Sequence, residues 1–176
     1  MTRSRTTHRS DSVLTIGENA KAKQLDRIGS KKGQHMSIPM RYETSYQWQG
    51  DGQNGALSAA DRDPINPGGA EDESRWSPEH LLLAAVESCL ANSFIVIAGF
   101  SKVDIVGYSS ISEGHLVKEP KVGYRFQRIT VRPVVTVNAE SRDRAERVMD
   151  KAHKVCIISR SLNCTVDVEA EFVQAR

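Results

Sequence analysis

Three cysteines, at positions 89, 156 and 164, are the residues of this 176-residue chain best suited to chemistry. Cys89 falls inside a long apolar run and Cys156 at the end of an amphipathic one, while Cys164 opens a final alternating segment. A thiolate with a second thiol nearby can be oxidised to a sulfenic acid and then close a disulfide. Two buried thiols can equally be small apolar core residues. The odd number does not suit the disulfide framework of a small secreted domain, so a cytoplasmic setting with free thiols is expected. A metal site is the weaker alternative. His153 and Cys156 have ligand-like spacing, with His80 and His115 as further candidates, but no Cys-x2-Cys or His-x3-His pair accompanies them.

The elements that must carry these thiols follow from periodicity and capping. Arg41 to Gln49 alternates Tyr42, Thr44, Tyr46 and Trp48, a half-buried strand, and GDGQNG at 50–55 is its turn. Residues 59–76 form a long aperiodic loop. Ser77, Pro78 and Glu79 supply an N-cap, a first-turn proline and an acid, so a helix runs from Pro78 to about Gly99. That helix is apolar on nearly every face. Its length would also suit a membrane span, but Glu87, Ser88, Asn92 and Ser93 interrupt it, and the expectation is a buried helix with no membrane role.

Val103 to Val117 and Tyr124 to Val137 form a hairpin with Arg125, Arg128 and Arg132 toward one polar face, and Pro133 implies an edge position or a bulge. Ser141 to Cys156 is an amphipathic helix with Ser141 as N-cap and Ala145, Val148, Met149, Ala152, Val155 and Cys156 on its stripe. Thr165 to Val173 alternates as one closing strand. The order of strands, long helix, hairpin, helix and strand gives an α+β fold class. One small sheet covers only one side of an all-round apolar helix, so a second subunit is expected to cover the other.

Charge divides the chain. Residues 1–35 hold eight Lys/Arg and three Asp/Glu, whereas residues 36–176 hold sixteen and nineteen. The first part has too few large apolar residues for a core and is expected to be a disordered basic extension, with the domain running over 36–176. The domain is mildly acidic, which argues against nucleic-acid binding.

SPEHLLLAAVESC at 77–89 and AHKVCIISRSLN at 152–163, in this element order and with WQGDGQNG at 48–55, resemble the osmotically induced protein C and organic hydroperoxide resistance (OsmC/Ohr) family over about residues 41–174. The resemblance implies antiparallel sheets packed on long central helices in an intertwined homodimer. It also implies a thiol peroxidase for organic hydroperoxides, without a cofactor, re-reduced by a dithiol such as a lipoyl protein. Cys89 matches the peroxidatic cysteine, Cys156 the resolving cysteine and Glu79 the helix-start carboxylate.

The family's arginine is missing, since its two alternative positions are Gly69 and Gln53, and Ile157 and Leu90 replace a usual Pro and Phe. Arg75 is the favoured substitute, with Arg62 behind it. Glu79 and Cys89 are ten residues apart, about 15 Å along a helix and roughly 80° around it, so a bridging arginine or a partner chain must link them. The alternative function is a noncatalytic OsmC-like dimer that binds an apolar small molecule in a stress response.

Overall fold

The structure is a computed structural model that describes residues 39–175. The basic extension expected over 1–35 lies outside the described residues. Two compact units divide at Tyr42 and Glu43, and every element below belongs to the second, Glu43–Arg176.

β1 (Ser45–Trp48) and β2 (Gly55–Ser58) form an antiparallel ribbon. Its turn uses positive φ at Gly50 and Gly52, and the Trp48 indole N–H donates to the Gly52 carbonyl at 3.1 Å. The expected half-buried strand is instead exposed at all four β1 residues. Among the described residues its sheet partner is the equally short β2 alone, and the four side chains of β1 stay open.

α1 (Pro78–Phe100) starts where the capping residues place it. The Ser77 hydroxyl accepts the His80 N–H, and His80 Nδ1 accepts the Ser77 N–H at 3.3 Å, so a histidine completes the reciprocal cap that Glu or Gln more often makes. Val86, Leu90, Phe94 and Ala98, at four-residue spacing, form its buried stripe. Each large apolar side chain so buried contributes on the order of 1.5–3 kcal/mol. The remaining faces are not covered as the sequence demands: Ile95 is 49% and Phe100 84% exposed. By length and composition α1 could cross a membrane, but here its buried stripe lies in the core.

β3 (Ile105–Glu119) and β4 (Gly123–Val137) make the expected hairpin. Tyr108, Ser110, Ser112 and Gly114 are half-buried, while Ser109, Ile111, Glu113 and His115 are exposed. A Cβ on Gly114 would lie 2.4 Å from the Phe126 ring and 2.9 Å from Leu83, so glycine lets α1 approach the sheet. Gly114→Val should therefore lower the thermal midpoint by several degrees in a melting experiment, whereas Ser109→Val on the exposed face should not. On the exposed side Arg132 bridges Glu113 and Glu169 at 3.0 and 2.9 Å, and Arg128 pairs with Asp167. These solvated pairs hold the face polar and add little stability.

A 3-10 turn at Ala139–Ser141 leads into α2 (Arg142–Val155), followed by the single turn α3 (Ile157–Arg160). Ser141 ends the 3-10 turn in helical geometry and makes no side-chain cap, contrary to the N-cap expected of it. A residue already turned into helical φ/ψ cannot aim its hydroxyl back at the first free N–H groups.

The closing segment is two strands, β5 (Thr165–Val168) and β6 (Glu171–Gln174), both parallel to β4. This corrects the single strand and explains Pro133. β5 pairs with Arg128–Val131 and β6 with Val134–Val137, so Pro133 lies at the break between them, neither at an edge nor in a bulge. Its missing N–H falls where no parallel partner needs it. Buried residues of α1, β4 and α2, together with Cys156, form one core.

Candidate functional site

α1 holds Cys89 half-exposed in mid-helix, one residue before buried Leu90. α2 ends at Cys156, whose side chain is fully buried. The backbone turns there, with Cys156 at φ −59° and ψ 112°, and α3 begins at once. The turn sets the Cys156 thiol and the main-chain N–H groups of Ile157 and Ile158 near enough to Cys89 to act on its ionisation. The Ser159 hydroxyl donates to Cys156 Sγ at 3.2 Å.

Burial pushes the Cys89 thiol above its ordinary value, and the neighbouring Cys156 adds to that. The Ile158 and Ile157 N–H groups act in the opposite direction, because they favour the anion. The folded-state value being raised, ionisation works against the fold as pH climbs through it. Ile157→Pro deletes one of the two donors with little backbone cost, since proline suits a first helical position and Cys156 already has the extended ψ a following proline requires. Alkylation of Cys89 by iodoacetamide near neutral pH should slow severalfold in Ile157→Pro and keep its rate in Ile157→Val.

Glu79 sits in the first turn of α1. The Ser77 hydroxyl, and then its own N–H, hold its carboxyl below the ordinary value against the effect of burial. Its Oε2 is buried without a hydrogen-bond partner among the described residues. In the single chain Arg75 is paired elsewhere: its Nε lies 3.3 Å from Asp72 Oδ2, and no ion pair joins it to Glu79 among the described residues. Asp72 is well prepared to capture it. The Ser74 hydroxyl and N–H donate to Asp72 Oδ1 at 2.6 and 3.0 Å, keeping that carboxylate ionised three residues from the guanidinium. Arg62 donates to the Ala59 carbonyl.

Gln53 and Gly69, far apart in sequence, lie against each other: a Cβ on Gly69 would fall 2.0 Å from Gln53 Oε1. The two positions at which the resemblance puts an arginine are thus one place in space, and here neither supplies a cation.

Glu87 is on the sheet side of α1 and accepts the Ser110 and Ser112 hydroxyls at 2.5 and 3.0 Å, fastening the helix to β3. Cys164 is partly buried and packs at the margin of the core. No cluster of three or more His, Cys, Asp or Glu side chains suited to a metal occurs among the described residues. Sequence reasoning did not find Ser159 or the two amide donors. Only the serine three residues after Cys156 was available as a signal, and amide direction depends on a turn that periodicity does not show.

The helices on one side of a mixed sheet, with two thiols where α1 meets the α2–α3 turn, define an α+β protein with a dithiol centre. The OsmC family, described as OsmC-like protein, matches residues 70–171, and the chain belongs to it.

Solved structures agree in fold. An OsmC-like protein of unknown function from Vibrio cholerae is similar at a TM-score of 0.67 and 18% identity, covering 77% of this chain and 100% of its own. An organic hydroperoxide resistance protein OsmC from Legionella pneumophila, also described as a predicted redox protein, gives 0.61 and 21%, covering 77% and 98%. The organic hydroperoxide resistance protein OhrB of Bacillus subtilis gives 0.55 and 19%, covering 76% and 98%. No curated protein matches the sequence.

Proposed function

We propose that this protein is a thiol-dependent peroxidase that reduces organic hydroperoxides, with Cys89 as nucleophile and Cys156 as resolving thiol. What carries the reading is the placement of these two thiols, from different helices, on one core cluster, close enough for Cys156 to act on the ionisation of Cys89. The Cys89 thiolate attacks the O–O bond, taking one oxygen as sulfenic acid while the other leaves as an alcohol. Cys156 then displaces that oxygen as water and closes the disulfide. A dithiol, such as a protein-bound lipoyl group, returns both sulfurs to thiols in the cytoplasm. A bulky apolar peroxide is the expected substrate in preference to hydrogen peroxide; Leu82, partly buried on the cysteine helix, could meet it, whereas Leu90 and Phe94 are sealed in the core.

The working unit is a homodimer. Ile95 and Phe100 on α1, with Tyr46 and Trp48 on β1, are open apolar surface that a second copy would cover. In the dimer Glu79 and its unpartnered oxygen would meet the activating cation, with Arg75 released from Asp72 as the candidate within this chain.

Incubating reduced protein with cumene hydroperoxide and titrating free thiols tests the reaction; two thiols lost per chain is the expected result. The raised Cys89 thiol and the absence of arginine at Gln53 and Gly69 favour a second reading, a noncatalytic OsmC-like dimer that binds an apolar small molecule in a stress response. A full thiol count after peroxide treatment would establish it instead.

A further inference from the structure

We propose that Ser159 is a catalytic residue of the resolving step: its hydroxyl supports the Cys156 sulfur while that sulfur attacks oxidised Cys89. The inference rests on the dithiol reading above. A serine hydroxyl on a helix ordinarily gives its proton to a carbonyl three or four residues back. This chain shows the habit twice, with Ser88 donating to the Ala84 carbonyl at 2.7 Å and Ser161 to the Ile157 carbonyl at 2.8 Å. Ser159 departs from it. Its hydroxyl goes to Cys156 Sγ at 3.2 Å, although the Cys156 carbonyl lies three residues back and accepts the Arg160 N–H instead.

Cys156 needs such a donor more than Cys89 does. Its side chain is fully buried, so water does not reach a charge developing on that sulfur. In the resolving step the Cys156 thiolate attacks the sulfur of the Cys89 sulfenic acid. The S–S bond forms, the S–O bond breaks, and the hydroxide accepts a proton and leaves as water. Cys156 sulfur supplies the bonding pair and is oxidised by one formal step while the sulfenic sulfur is reduced by one, so no further oxidant enters. A hydrogen bond from Ser159 is strongest while Cys156 is anionic, because charge-assisted bonds exceed neutral ones. It supports the sulfur while charge develops on it in a dry site and holds it at the start of α3.

Disulfide exchange with 5,5′-dithiobis(2-nitrobenzoate) tests the step without any peroxide, in a Cys164→Ser background that removes the third thiol. Cys89 releases a first thionitrobenzoate as it forms the mixed disulfide, and attack by Cys156 releases the second. Ser159→Ala should slow the second release about ten-fold, the size expected from losing one hydrogen bond to a charged group, and leave the first unchanged. Ser159→Thr, which keeps a hydroxyl, should restore it. An unchanged second release in Ser159→Ala, or no restoration by threonine, overturns the proposal. With cumene hydroperoxide, Ser159→Ala should also accumulate sulfenic acid that dimedone traps. If the exchange result holds but peroxide oxidises neither thiol, the peroxidase reading fails and the role of Ser159 in disulfide closure stands.

Discussion

Reduced protein carrying Cys89→Ser should lose no thiol to cumene hydroperoxide, while Cys156→Ser should consume one equivalent and stop. The two outcomes follow from the unequal settings of the two sulfurs. Cys89 is half-exposed and can meet a peroxide, whereas Cys156 is fully buried behind it. An alcohol in place of the thiol has neither the ionisation nor the nucleophilicity to attack an O–O bond near neutral pH, so the loss in rate should be at least about a thousand-fold, the scale on which removing a nucleophile acts.

In Cys156→Ser the sulfenic acid has no thiol to condense with and should be trapped by dimedone, readable as a mass increase on the peptide containing Cys89. That variant should also ionise Cys89 more readily, because Cys156 is one of the groups that push the Cys89 thiol up. Its alkylation by iodoacetamide near neutral pH should therefore quicken, even as turnover stops. If Cys89→Ser still loses two thiols to the peroxide, the assignment of the nucleophile is wrong.

Which parts of this arrangement were legible in the chain depends on how local their causes are. Ser77, Pro78 and Glu79 announce the start of α1 because a cap is satisfied within one turn, and the structure begins the helix at Pro78. Of the expected α2 stripe, Ala145, Val148, Met149, Ala152 and Cys156 are buried as their spacing requires, while Val155, at the end of the helix, is 44% exposed. Pro133 misled, because it marks a break between two strands that pair with β4 from its far side, and a partner so distant in sequence leaves no local trace.

Arg75 is a related case. Proximity to Glu79 in sequence argued for it, yet Asp72 is nearer and is already organised by Ser74. Ser159 and the N–H groups of Ile157 and Ile158 were out of reach altogether. Their importance comes from where a four-residue turn points, and composition carries no direction. Gln53 and Gly69 show the opposite limit: two absent cations that count as separate departures in sequence become one gap when the loop closes on the ribbon turn.

Two neighbours on α1 give the other large effect. Phe94 is fully buried, its ring 5.9 Å from that of Tyr108 and tilted 34° to it, so Phe94→Ala removes a core side chain and leaves a cavity between helix and sheet. It should cost roughly 3–5 kcal/mol. At about 2–4 °C per kcal/mol for a chain near this size, the thermal midpoint should fall by roughly 6–20 °C.

Ile95 occupies the next position and is 49% exposed in the single chain. In a monomer Ile95→Ala would behave as a surface substitution, within about 0.5 kcal/mol of the original. In the proposed homodimer the same side chain faces the second copy, so Ile95→Ala should cost about 1–2 kcal/mol or more, and the midpoint should rise with protein concentration because association stabilises the folded state. Melting both variants across a hundred-fold range of concentration, with light scattering to give the mass, separates the cases. A monomeric mass with Ile95→Ala indistinguishable from the parent would sink the homodimer, while the loss at Phe94, set inside one chain, would remain.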